Sequence, residues 1–554
     1  MRRGAGKQVN TDAVTTREAT APGRRLRRAV SSRRDSLLHA GLNLLLVAMV
    51  ALPVLLCILF TLDILEASYT GYDFSVYYAA GLMLRANPHA NIFDLHLLQA
   101  IARAHGAALP TIPYTYPPLL AILVIPLTLF PYRAAVDIWT ILNLAVWILC
   151  VILLTAWFRR VLAFGVVSRV SGRDTAGEAL ATASPARWIR APRLFPVALV
   201  VFLTLSYQPI EQSLVLGQVS LFILLLLLVV PLLVERDRPY LAGGVLALAV
   251  WIKLFPALLI IYYLLRGRRR VVVGAVAGIA LLGLAQVPLI GMEGVLATRH
   301  VLDNGAFQAA QFQNEALARV PLWIAAELGG HLTPALTAAG AALVVVIGVV
   351  FLAVLLRLRR QNSPQDTHHM MAHPAAANRE LLGYTWALCA MVLVSPITWE
   401  HYDSWLLPAF IVCLGLAIHA SATGFRDARG RIRREVYVLA ATIVAYVITM
   451  HHLPLGYDGT TTFDIGPYIG GHPLRPFFML LRPLAALLMW ICSGALFLSA
   501  TASTGEPAVR ASSPSVRLPR VVQARVLGGF LFAVCAILAV LIAVTTAFGS
   551  YQPH

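Results

Sequence analysis

Three short stretches hold residue types able to do chemistry. Asp73 stands alone among tyrosines and small residues in YTGYDFSVYYAAG (69–81), just beyond a long apolar run. Lys253 lies in the middle of GGVLALAVWIKLFPALL (243–259) and is one of only two lysines in the chain. Glu400 and His401 sit in SPITWEHYDSWLLP (395–408), in a turn that follows Pro396. A positioned carboxylate can accept a proton from a weak nucleophile as a bond forms. An ammonium and an imidazole can stabilise developing negative charge without a metal. Lysine inside an apolar run is costly and marks a functional site by default. Each residue also has a simpler role to weigh. Asp73 fits the N-cap of a short helix beginning FSVYYAAGLMLR. Lys253 could snorkel from a helix end. Trp399, Tyr402 and Trp405 could form an interfacial aromatic belt.

The elements that must position these groups follow from composition. Of 554 residues, 59% are hydrophobic and 13% charged, with a mean hydropathy of +0.75. Soluble domains run near 45–50% apolar and about 25% charged. Apolar runs of spanning length recur along the chain, and no strand-like alternation is present. The expectation is therefore an all-α polytopic membrane protein, each helix satisfying its own backbone. The net charge of +18 falls in arginine clusters between apolar runs: RRLRR (24–28), RR (159–160), RGRRR (266–270), RLRR (357–360) and RGRIRR (429–434). That is the positive-inside pattern and argues against nucleic acid as a partner. The six cysteines lie within apolar runs with no C-x-x-C pair, so neither a disulfide framework nor a zinc site is signalled. HHMMAH (368–373) falls in a polar cytoplasmic loop remote from the other candidates, and no metal is assigned there.

Charge placement sets the threading. Residues 1–36 read as a disordered basic cytoplasmic tail, and the first apolar run begins near Leu37, long enough to stay as an anchor. Residues 63–133 form a first external loop with amphipathic helices. Its segment 116–132 reaches only about 22 Å as a helix, short of a core about 30 Å thick. Were it to cross, seven arginines between 159 and 193 would fall outside. The expected spans continue at 134–158, 194–207 and 218–234. A hairpin of two broken helices follows over 240–265, with Lys253 near its outer tip ahead of Pro256. The remaining spans are 271–290, 335–357, 382–394, 404–420, 436–450 and 477–500. A cytoplasmic linker (501–525) and a last span with a short external tail (526–554) complete about thirteen crossings. Most of the 44 lysines and arginines then lie inside, as topology requires. On the outer face this threading gathers Asp73, YTYPP (114–118), QPIEQSLVLGQ (208–218), Lys253, QFQNEALAR (311–319) and WEHYD (399–403).

These segments, in this order, resemble the polyprenol-phosphate-sugar-dependent glycosyltransferases of the GT-C superfamily, specifically glycosyltransferase family 87. The matching stretches are DFSVYYAAGLML with NPHANIFD (73–94), YPPLLAILVIPLTLFP (116–131), LGQVSLFILLLLL (216–228), GGVLALAVWIKLFPALL (243–259), NEALARV (314–320) and SPITWEHYDSWLLP (395–408). The chain departs from the family in its arginine-rich tail and at NEALAR. The resemblance implies a GT-C-like catalytic domain over 37–500 in the cell membrane, with its active site on the external face. Asp73 takes the place of the general base in the first external loop. The resemblance further implies a lipid-linked sugar phosphate as co-substrate with no other cofactor. Lys253, His401, Glu400 and Arg319 then become candidates for binding the donor's phosphate and sugar. Tyr72, Tyr77, Tyr78, Gln218, Asn314 and Trp399 become candidates for the acceptor or sugar, since aromatic rings stack on sugar faces. One base opposite one leaving phosphate implies inversion, so that a β-linked mannosyl donor yields an α-mannoside on a glycolipid or glycan acceptor. A transporter or flippase of lipid-linked sugars is the alternative. Transporters show internal repeats with midplane sites, and no repeat is visible here.

Overall fold

The computed structural model describes residues 71–108, 113–164, 195–301, 314–327, 333–361, 374–422, 434–450 and 475–502, with isolated positions 51 and 55. The expected tail, HHMMAH loop and last span lie outside the described residues, as do all of the first span but positions 51 and 55 and nearly all of the linker. Among the described residues the chain is helical throughout, with no strand. It begins with α1 (Tyr72–Ala86), α2 (Leu95–Ala104) and α3 (Pro118–Val124), the last running into a 3₁₀ turn at Ile125–Leu129. Next come α4 (Tyr132–Phe164), α5 (Phe195–Leu205), α6 (Gln208–Val215) and α7 (Ser220–Glu235). Then follow α8 (Pro239–Ile252), α9 (Ala257–Leu265), α10 (Arg269–Leu296), α11 (Val320–Glu327) and α12 (Pro334–Gln361). The described part closes with α13 (Pro374–Leu393), α14 (Leu407–Ala422), α15 (Arg434–Met450) and α16 (Arg475–Ala502).

Five stretches among the described residues are long and apolar enough to cross a membrane: Tyr132–Ala163, Arg269–Arg299, Pro334–Arg359, Glu400–His419 and Leu481–Thr501. Shorter apolar helices include Pro118–Leu129, Ser220–Glu235 and Pro239–Ile252. Large apolar side chains stand exposed along α10 (Val273, Val276, Leu281, Leu284) and α12 (Val345, Val346, Val349). Such continuous apolar faces suit hydrocarbon rather than water. The chain is an all-α membrane protein.

Sequence explains the breaks. The segment expected not to cross is a helix followed by a 3₁₀ turn, with Pro118 at its start and Pro126 at the change of winding; its rise reaches only about 18 Å. The run 240–265 breaks at Lys253, whose backbone is extended (φ −153°, ψ 132°), and α9 begins after Pro256. Proline disfavours helix in the residue before it and lacks the N–H a continuing helix needs. Helices α8 and α10 pack closely because glycine lines their contact: a Cβ on Gly243 would lie 2.2 Å from the Val271 carbonyl oxygen.

The contact that matters most for the site joins α1 to the turn between α6 and α7. Gly71 (φ 77°) and Gly217 (φ 68°) both adopt left-handed backbone, which glycine allows without strain. A Cβ on Gly217 would come within 2.9 Å of the Phe74 Cβ and 3.3 Å of the Gly71 Cα. At that approach the Gly71 N–H donates to the Val215 carbonyl (2.9 Å), and those of Asp73 and Phe74 donate to the Leu216 carbonyl (2.9 and 3.2 Å). The Trp139 indole on α4 donates to the Gly217 carbonyl at 2.7 Å.

Candidate functional site

The expectation that Asp73 caps α1 is corrected. Gly71 occupies the N-cap without a side-chain cap bond, and Asp73 lies in the first turn. The reason is local: the N–H groups of Asp73 and Phe74 already have the Leu216 carbonyl, so no side chain is needed to satisfy them. The carboxylate is thereby released for other work. Gln218 donates its amide to Asp73 Oδ2. Its own Oε1 accepts from the hydroxyls of Tyr77 (3.0 Å) and Tyr116 (3.1 Å). Loss of solvation raises Asp73 from 3.8 to about 6, against the Gln218 hydrogen bond and the Lys253 charge, both of which lower it. Asp73 is therefore ionised near neutrality and still basic enough to accept a proton.

Lys253 is buried, with its ammonium 3.6 Å from the centre of the Tyr402 ring, 5.2 Å from Tyr116 and 5.6 Å from Trp405. Its Nζ has no hydrogen-bond partner among the described residues. A desolvated cation–π contact contributes about 2 kcal/mol, less than the several kcal/mol that desolvating an ion costs. The aromatic cage alone does not compensate this cation, so the site is suited to receiving an anion. His401 is buried beside it, its ring 4.8 Å from Tyr402 and its Nε2 without a hydrogen-bond partner among the described residues.

The turn Glu400–Leu406 is a 3₁₀ helix, and its winding explains how it serves two neighbourhoods. Side chains three apart eclipse in a 3₁₀ helix. Tyr402 and Trp405 accordingly stack at 4.9 Å beside Lys253. Glu400 and Asp403 share another face. Glu400 accepts from Gln208 Nε2 at 2.5 Å and lies 3.7 Å from the Arg482 guanidinium. Asp403, Arg482 and Glu315 line one small cavity of about 10 Å³. Expected beside the donor phosphate, Glu400 is instead held by Gln208 and Arg482, because its register on the turn differs from that of Lys253's contacts.

Other expected contact residues take bracing positions. Gln218 is committed to Asp73, Tyr77 and Tyr116. Tyr77 is fully buried, and Tyr78 donates to the Phe130 carbonyl at 2.8 Å while packing on Phe74 and Tyr132. Both lie in the part of α1, Phe74 to Leu84, that is buried on every side. Asn314 is buried: its Nδ2 donates to the Pro396 carbonyl (2.9 Å), and its Oδ1 accepts from the N–H groups of Ala316 and Thr398. It ties the NEALAR segment to the SPITW turn. Arg319 ends the 3₁₀ turn Leu317–Arg319 packed against α12, where a Cβ on Gly340 would lie 1.8 Å from the Ala318 carbonyl oxygen. Tyr72 and Trp399 are half-buried. Their carbonyls accept from the Ser75 hydroxyl (2.6 Å) and the Tyr402 N–H (2.7 Å), respectively.

Sequence reasoning missed Tyr116 and Tyr402 as the cage around Lys253, and Glu315, Asp403 and Arg482 as a buried charged group. Arg482 could have been found, because an arginine next to Pro483 within the apolar run 477–500 is an intramembrane ionisable residue. No spacing in the sequence announces the cage. Among the described residues, no group of three or more His, Cys, Asp or Glu is arranged to hold a metal ion.

A family-level match, to glycosyltransferase family 87, covers residues 114–396. Two relatives carry the name polyprenol-phosphate-mannose-dependent alpha-(1-2)-phosphatidylinositol mannoside mannosyltransferase. The one from Mycobacterium tuberculosis is 30% identical over 348 residues, 62% of this chain and 68% of that protein. The one from Mycolicibacterium smegmatis is 25% identical over 343 residues, 61% of this chain and 67% of that protein. No solved structure matches the chain.

Proposed function

The chain belongs to glycosyltransferase family 87, and from that membership and the site geometry we propose that it moves mannose from polyprenyl-phosphate-mannose to a glycolipid acceptor with inversion. That it is a membrane glycosyltransferase follows from the family and its apolar helices. The donor and the phosphatidylinositol mannoside class of acceptor are carried over from the names of its relatives. The external side of the active site, and about thirteen crossings, rest on the arginine pattern.

In the reaction, an acceptor hydroxyl attacks the anomeric carbon as the bond from that carbon to the phosphate oxygen breaks. Asp73 accepts the hydroxyl proton as the new bond forms. The polyprenyl phosphate leaves as an anion, and Lys253 and His401 supply the cation and the hydrogen-bonding atom that receive it. Attack opposite the leaving group converts a β-linked mannosyl phosphate into an α-mannoside. Lys253 does the work a divalent cation would otherwise do, so chelation with EDTA leaves the rate unchanged.

The observation that carries this reading is the Asp73 carboxylate, held by Gln218 within the electrostatic reach of the buried Lys253 ammonium, which has no hydrogen-bond partner among the described residues. Its test is Asp73→Asn in purified enzyme, with polyprenyl-phosphate-mannose and a phosphatidylinositol mannoside. Loss of a general base predicts a fall in kcat of about 10²–10⁴-fold. Transfer at the wild-type rate by the folded variant would refute the assignment.

A further inference from the structure

Arg482 lies on α16, beyond the part of the chain matched by the family. Its side chain is 1% exposed, yet it reaches three separate segments. Its Nη2 donates to Gln208 Oε1 at 2.5 Å, at the start of α6. Its Nε lies 3.6 Å from Glu315, in the NEALAR segment, and its Nη2 lies 3.7 Å from Glu400, at the first residue of the 3₁₀ turn. Gln208 closes the ring by donating to Glu400. A planar guanidinium carries five donors in a fixed fork, so it can hold acceptors from three directions in one set geometry, whereas lysine's compact ammonium fixes no such geometry.

Energetics make stabilisation an insufficient account of this group. Three carboxylates (Glu315, Glu400 and Asp403) around one guanidinium, all buried or nearly so, carry desolvation costs that ion pairing at best offsets. Buried ionic groups can instead select one arrangement among near-equal ones. Here the arrangement selected is the register of the turn Glu400–Leu406. Because eclipsing fixes both faces of a 3₁₀ helix together, anchoring Glu400 on Arg482 also sets where His401 and Tyr402 meet Lys253.

We infer that Arg482 is a positioning residue, which aligns His401 and the Lys253 cage with the departing group of the donor by holding the opposite face of the 400–406 turn. The inference rests on the reaction proposed above, and its experiment separates the two. Arg482→Gln, Arg482→Lys and the doubly neutral Arg482→Gln/Glu315→Gln are purified and assayed for kcat, donor KM and Tm. Phe497→Leu, a core change far along α16, serves as a destabilised control.

A misplacement of about 1 Å costs about 100-fold, so kcat falls about 100-fold in Arg482→Gln while donor KM changes little. Arg482→Lys falls less. The double variant removes one of the carboxylates that Arg482 faces, the fully buried Glu315, so its Tm recovers in part while its kcat stays low. That recovery also keeps the test readable if Arg482→Gln alone does not fold. Phe497→Leu loses Tm without a comparable loss of kcat. If kcat recovers with Tm in the double variant, or falls equally in Phe497→Leu, Arg482 is only structural and the inference is overturned. If Asp73→Asn is inactive while folded Arg482→Gln has wild-type kcat, the inference alone fails. If Asp73→Asn is fully active, the parent reading fails.

Discussion

Gln218 holds the Asp73 carboxylate from 145 residues away, and the same amide accepts from Tyr77 and Tyr116. One side chain thus fixes the orientation of the proposed base and accepts from two buried hydroxyls. In Gln218→Leu, Tyr116 loses its acceptor, Tyr77 keeps only the Tyr116 hydroxyl at 3.0 Å, and the hydrogen bond that lowers the Asp73 pKa is gone. The acid limb of kcat/KM then moves above about 6, and the rate falls at least about tenfold, as expected when a positioned base is loosened. A pH–rate profile of the variant checks both.

Lys253 bears on the same titration from the other side. Its charge lowers the Asp73 pKa, so Lys253→Met raises it and shifts the acid limb upward. The loss of charge stabilisation on the leaving phosphate adds a fall in kcat of about 10²–10³-fold. An acid limb that stays in place while kcat drops would separate Lys253 from the base.

Asp73 also predicts a stability effect opposite in direction to its effect on activity. Its folded value of about 6 lies above the unfolded 3.8. The folded state therefore binds the proton more tightly, and this contribution is fully present below 3.8 and is lost as pH rises through about 6. Asparagine mimics the protonated form. Asp73→Asn should melt higher than wild type at pH 8 and match it at pH 4, while remaining inactive at both. Thermal melts at the two pH values decide it.

Gly217→Ala tests the close approach beneath the base. The φ of 68° and the 2.9 Å contact with Phe74 Cβ predict a destabilisation of about 1–3 kcal/mol. Activity per folded molecule falls as well, because the Leu216 carbonyl that holds α1 is displaced. Chemical denaturation with parallel assays measures both effects.

Gly340→Val places a Cβ 1.8 Å from the Ala318 carbonyl, so the Leu317–Arg319 turn must lift off α12. Reduced Tm is expected, with a loss of transfer activity as Asn314 loses its hold on Thr398. Activity and Tm assays of Gly340→Ala and Gly340→Val should rank by side-chain size.

Much of the architecture is legible in the sequence, because prolines and apolar periods act locally. Pro118 and Pro126 mark a short apolar helix and its change of winding, and Pro256 follows the break at Lys253. The site is legible only in its rarest residues. Asp73, Lys253 and His401 stand out because charge or imidazole beside apolar runs is costly. Gln218, Tyr116 and Tyr402 do not, since amides and tyrosines are ordinary in such loops and their partners lie far away in the chain. Sequence places Asp73 at the cap because aspartate favours that position. The carbonyl that took over that duty comes from Leu216, and no local pattern encodes it. Glu400 and His401 are adjacent in sequence, and only the winding of their turn reveals that they serve different neighbours.

The paired glycines at 71 and 217 have a bearing on how this enzyme could be re-engineered. A side chain on Gly217 would meet Phe74 and Gly71, and one on Gly71 would meet Val136 at 3.0 Å, so the first-loop helix and the α6–α7 turn form a single part drawn from two distant stretches. A chimera that imports residues 69–94 from a relative must import 215–218 with them. Transplanting the loop alone would carry the acid across and leave behind the backbone that aims it.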